Sequence, residues 1–207
     1  MKTVSTLGRL LAVSGIAVAV AGCSLLKAPP PVQLYRFGAD IQAAAPLPID
    51  APAVNLRRIE FPEAAETDRV LGVTGNEAAY IAGARWVTPA PALYGDSLEA
   101  AFASQARRVR LIGAREGVRG DQTLDIDVQT FEARYDSPGA VPTVVVTARA
   151  RLMRERDIIA EQTFTVSQPA TENRVATIVQ AFETATRDLN TQIVGWTDTN
   201  ATVNPRD

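Results

Sequence analysis

Leu124-Asp125-Ile126-Asp127-Val128-Gln129 decides the fold. Leu124, Ile126 and Val128 alternate with Asp125, Asp127 and Gln129, and in an extended chain successive side chains point to opposite faces. One face is therefore apolar and the other polar, the pattern of a strand in a sheet with a core on one side. The run continues to Phe131 and Tyr135 and stops at Asp136-Ser137-Pro138-Gly139, a turn sequence. Downstream, Thr143 to Leu152 and Ile158 to Val166 pair as a hairpin around Arg154-Glu155-Arg156-Asp157. Within it, Val144-Val145-Val146 is apolar on both faces, so either both are covered or one is a contact surface.

Upstream, Val109 to Ile112 forms a short strand before the turn-rich stretch from Gly113 to Gly120. Arg69 to Thr74 and Ala78 to Ile81 read as a hairpin reversing at Gly75-Asn76, where positive φ is tolerated. Val54 to Ile59 is a strand stopped by Pro62, and Val32 to Phe37 is the first strand, with residues 38–52 as a loop between them. After Arg85-Trp86, Thr88 stands at an N-cap before Pro89, and Leu93, Tyr94, Leu98, Ala101, Phe102 and Gln105 trace one face of a helix. Pro169 and Thr171 open the last helix, whose stripe of Val175, Ile178, Val179, Phe182, Leu189, Ile193 and Trp196 runs to its end near Gly195. The expected architecture is α+β: an antiparallel β-sheet with two main amphipathic helices packed on it.

The N-terminus has a different character. Lys2 and Arg9 precede an apolar run from Leu10 to Ala21, too short to cross a bilayer but suited to a signal-peptide core. It ends in Val20-Ala21-Gly22-Cys23, small residues followed by the one cysteine of the chain. This arrangement predicts cleavage before Cys23 and lipidation of its thiol. Ser24 to Pro31 ends in a proline run that serves as a spacer. The expected organisation is a cleaved lipoprotein signal peptide over 1–22, a lipidated Pro-rich spacer over 23–31, one α+β domain over 32–196 and a disordered tail over 197–207. Removal of the leader leaves 185 residues, enough for a core without disulfides.

Composition removes most chemistry. The 207-residue chain has no histidine, and Lys2 and Lys27 are its only lysines. Histidine-based triads and histidine metal sites therefore have no residues to build them, and a serine–lysine dyad is ruled out in practice because Lys27, the one lysine after the leader, lies in the spacer. With 21 Lys+Arg against 23 Asp+Glu and no basic block, nothing favours nucleic acid. The glycines at 113, 117 and 120 match neither a phosphate loop nor a dinucleotide fingerprint. Asp125 with Asp127 is the remaining candidate, either as an acid–base or ion-holding pair or as the solvated face of its strand. Arg85 and Trp86 are read in two ways: a core cap, as for Trp196, or a binding surface of the kind where Trp and Arg are enriched.

Taken in order, these segments resemble the ABC-type transport auxiliary lipoproteins, PqiC-like. The resemblance lies in the lipobox cysteine, Leu34-Tyr35-Arg36-Phe37, Arg85-Trp86-Val87, and Leu124 through Glu132. It continues in Ala148-Arg149-Ala150-Arg151-Leu152 and Ile193-Val194-Gly195-Trp196. It implies a non-enzymatic lipoprotein without cofactor or metal, lipid-anchored at the outer membrane and facing the periplasm. Ser24 after the lipidated cysteine, rather than Asp, fits release to that membrane. The implied partner is an MCE-domain (mammalian cell entry) protein working with an inner-membrane permease and its ATPase. The lipoprotein would dock this component while lipids or other hydrophobic molecules move between the membranes. Of the family's functional residues only Cys23 carries over. Self-association stays open, as does a structural role in the envelope or a secretion complex, or an enzyme using Asp125 and Asp127.

Overall fold

A computed structural model describes residues 31–38, 46–57, 59–113 and 120–201. The leader and Cys23 lie outside the described residues. From Val32 onward the described residues form one compact unit.

Its centre is the long meander read first from the sequence. β6 (Gln122–Tyr135), β7 (Thr143–Arg154) and β8 (Asp157–Pro169) pair antiparallel in chain order. Leu124, Ile126 and Val128 are buried as the alternation requires, but the apolar phase then slips to Phe131 and Ala133. The register explains the slip: Val128 pairs with Ala148 and Thr130 with Thr147, so Gln129 has no partner of its own. This β-bulge restores Phe131 to the core face. The β7–β8 turn places Glu155 at a φ of +55°, an uncommon position for a residue with a Cβ.

The other edge of β6 is shared. β2 (Ala53–Leu56) runs parallel to its start, with Val54 opposite Gln122, and β3 (Arg69–Thr74) runs parallel to its end, with Gly72 opposite Ala133. Between them Glu60 donates its N–H to Ile126 and accepts from Val128. β5 (Arg110–Ile112) extends the sheet parallel to β2, while β4 (Glu77–Trp86) and then β1 (Gln33–Tyr35) extend it beyond β3. The α+β class is as the sequence predicts, but the sheet is mixed rather than antiparallel. Alternation within a strand carries no information about the direction of a distant partner. At the β3–β4 turn only Gly75 takes positive φ, at +58°, the placement that favours glycine at the first turn position.

The two helices cover the apolar face. α1 (Ala90–Gln105) starts one residue later than Thr88 would set it, with Pro89 at the N-cap and no side-chain cap. α2 (Val175–Asn200) starts after Arg174 because β8 keeps Pro169 and the chain bends through 171–174. It also runs past Trp196, with Thr197 fully buried, so the tail expected from 197 is helical as far as Asn200. Residues 202–207 of that tail lie outside the described residues. α2 packs on β7 and β8, and α1 on α2 and β5.

Candidate functional site

Asp125 and Asp127 lie on the sheet face away from the helices, but they are not free in solvent. Their register partners on β7 are Arg151 and Arg149. Each carboxylate accepts a 2.8 Å bond from its arginine, Asp125 from Arg151 and Asp127 from Arg149. Arg57 approaches Asp125 to 3.9 Å, and Glu161 of β8 stands opposite Arg151. Asp125 is only 9% exposed, so the expected solvated face is instead a charge ladder tying β6 to β7. Both carboxylates are engaged by guanidinium groups, a geometry for cross-strand pairing rather than for acid and base. Among the described residues no group of three acidic, histidine or cysteine side chains could hold a metal ion. Val145 shares this outer face and is buried, so both faces of the Val144-Val145-Val146 run are covered.

The pair read as a binding surface divides. Trp86 is 2% exposed and lies at the centre of the core, with ring centroids 5.2 Å from Phe37 and 5.4 Å from Phe182. Phe131 completes this nucleus, 4.8 Å from Phe182. Trp86 faces inward because β4 pairs with β1 on one side and β3 on the other, placing Trp86 opposite Tyr35 on the helix-covered face. It is core, and the binding-surface assignment fails for it. Arg85 points the other way and forms two bonds to Asp68, at 2.7 and 2.9 Å, with both side chains well exposed. Trp196 packs edge-on against Phe164 at 6.1 Å, as a core cap should.

Sequence reasoning missed a polar cleft of about 430 Å³ between the helices. In it Asn190, fully buried, donates to Ser97 at 3.1 Å, and Glu183 accepts the Gly38 N–H at 2.7 Å. Asn190 and Glu183 sit in a helix whose sequence signal is its apolar stripe, so nothing local marked them. Tyr94 of α1 is wholly buried against Phe61, and its hydroxyl has no protein partner among the described residues. Burial pushes its pKa far above the ordinary tyrosine value, and a smaller burial effect raises Tyr135.

The two aspartates are thus held in cross-strand ion pairs, and both tryptophans serve the core. Residues 35–194 match the family of the ABC-type transport auxiliary lipoprotein component. The chain belongs to this family. It is therefore a lipoprotein auxiliary to ABC-type transport, and membership supports a location anchored to a membrane. The fold is similar to the crystal structure of protein XCC0632 from Xanthomonas campestris, with 25% identity and a TM-score of 0.64. That match covers 83% of this chain and 93% of the other. A second crystal structure, of an uncharacterized protein, has the same fold at 15% identity and a TM-score of 0.62, covering 80% of this chain and 98% of the other. No curated protein matches the sequence. Among the described residues no helix is long and apolar enough to cross a membrane.

Proposed function

We propose that the protein is cut before Cys23, lipidated there, and held on the periplasmic face of the outer membrane. From that position it docks the MCE component of an ABC transport system that moves lipids or other hydrophobic molecules between the two membranes. The observation that carries this reading is Val20-Ala21-Gly22-Cys23 placed ahead of a transport-auxiliary domain whose family match begins twelve residues later, at Tyr35. A docking subunit needs a stable surface and no chemistry of its own, in keeping with carboxylates held in ion pairs and the absence of histidine.

The test has two parts. Cys23→Ala should abolish acylation and release the protein from the membrane, whereas the wild type stays bound in high salt because two or more acyl chains anchor stably. The wild-type lipoprotein should also capture a co-encoded MCE-type protein, and deletion of either gene should give the same outer-membrane permeability defect. A wild type that washes off in salt overturns the anchor. No MCE-type partner and two unlike phenotypes overturn the transport reading and leave a structural envelope lipoprotein.

A further inference from the structure

Eight large apolar side chains stand out as exposed among the described residues, and four of them gather at one end of the sheet. They are Val32 (51% exposed), Leu34 (63%), Tyr80 (37%) and Val87 (45%). The register places them together. Leu34 lies in β1 and Val32 just ahead of it, and side chains two residues apart in an extended chain share a face. Leu34 stands opposite Arg85, and Arg85 opposite Arg69 on the next strand. The Arg69 guanidinium lies 4.3 Å from the centre of the Tyr80 ring. Val87 is fixed beside β1 by its N–H to Tyr35, at 2.8 Å. Arg36, two residues beyond Leu34, is also exposed. Three arginines therefore border the apolar group, and Asp68, bound to Arg85, offsets only one of them.

We propose that this face rests on the phospholipid surface of the membrane that holds the anchor, so that the domain is oriented on the bilayer rather than hanging free from its tether. The inference rests on the proposed lipidation of Cys23. Two observations select a lipid surface as the occupant. The first is position: Val32 is itself part of the patch and lies nine residues after Cys23. A fully extended chain of that length spans at most about 30 Å, so the anchor keeps this end of the sheet close to the headgroups. The second is composition: aliphatic side chains and an amphipathic tyrosine suit the boundary of headgroups and acyl chains. Arginine forks pair with phosphate oxygens. The exposed Ile158 and Ile159 lie on β8, across β4, β3, β6 and β7 from β1. At roughly 4.8 Å per strand they lie about 24 Å from β1, outside the patch.

Hydroxyl-radical footprinting of the mature lipoprotein reconstituted into vesicles of phosphatidylethanolamine and phosphatidylglycerol tests this, with the unacylated Cys23→Ser chain in buffer as reference. Oxidation of Leu34 and Tyr80 should fall at least threefold on vesicles while that of Ile158 and Ile159 stays the same. Val32→Asp with Leu34→Asp should restore reactivity at Tyr80 without releasing the anchored protein or shifting its melting temperature. Unchanged Leu34 and Tyr80 overturn the proposal, and so does equal protection at Ile158. Protection that rises with protein density at fixed lipid identifies a second copy as the occupant and overturns it as well. Mass spectrometry of Cys23 keeps the two readings apart. If Cys23 carries no acyl group the anchor reading fails, and the same footprint is then read with its thiol coupled to a maleimide phospholipid.

Discussion

Asp198, in the last turn of α2, accepts a 2.7 Å hydrogen bond from the backbone N–H of Arg107, just beyond the end of α1. The same carboxylate accepts the N–H groups of Arg108 and Val109, at 3.1 and 3.0 Å. One side chain thus fixes the path from α1 into β5. Hydrogen bonds to a charged acceptor contribute about 1.5–3 kcal/mol, and these three compete with water at a partly exposed site. Asp198→Ala should therefore cost about 2 kcal/mol in urea unfolding. It should also raise hydrogen exchange at 107–109 more than elsewhere.

The Asp125–Arg151 pair should be coupled far more strongly than a surface pair. Their side chains are 12% and 27% exposed, whereas Arg174 and Glu172 are 69% and 55% exposed. A double-mutant cycle with Asp125→Asn and Arg151→Gln should give a coupling of about 1–3 kcal/mol, against about 0–1 for the surface pair. Asp125→Asn alone should destabilise, because it leaves a half-buried guanidinium without its counter-charge.

Phe182→Ala should cost about 3–5 kcal/mol. The ring is fully buried and touches both Trp86 and Phe131, so its loss opens a cavity at the aromatic nucleus. Thermal melts with near-ultraviolet dichroism of Trp86 read both the stability loss and the loosened indole.

Alkaline stability should depend on Tyr94. Its folded pKa is raised by burial, so above pH 10 the unfolded chain has lost a proton that the folded chain keeps. Stability is unaffected by this group below pH 10 and falls as pH rises above it, by about 1.4 kcal/mol per pH unit. Tyr135 acts in the same direction. Tyr94→Phe should leave stability at pH 7 equal or slightly higher, since no group among the described residues partners the hydroxyl, and should flatten the decline between pH 10 and 11. Urea midpoints at pH 7, 10 and 11 measure this.

The meander β6–β8 was legible because its signals are local: alternation at Leu124–Val128, turn residues at 136–139, and a hairpin with neighbouring strands. The bulge at Gln129 also leaves a local mark, since the apolar positions shift there from even to odd numbers. The parallel pairing of β2 and β3 with β6 was not legible. It joins Val54 to Gln122 and Gly72 to Ala133, and no pattern within either segment names its partner. Thr197 and Asp198 read as a polar tail because neither adds to the apolar stripe: Thr197 bonds the Ile193 carbonyl within its own helix, and Asp198 reaches across to α1. Trp86 was ambiguous because an Arg-Trp pair occurs both at interfaces and at the rim of a core, and only the pairing of β4 with β1 turns the indole inward.

With β7 along one edge and β2, Glu60 and β3 along the other, β6 is the strand on which the N-terminal half must wait. On the proposed export route the chain emerges from its N-terminal end, so β2 and β3 arrive before the residues of β6 that receive them. Until then β3 can close its hairpin with β4, but the two halves of the sheet have no shared strand to join, which leaves the emerging chain open to holding factors.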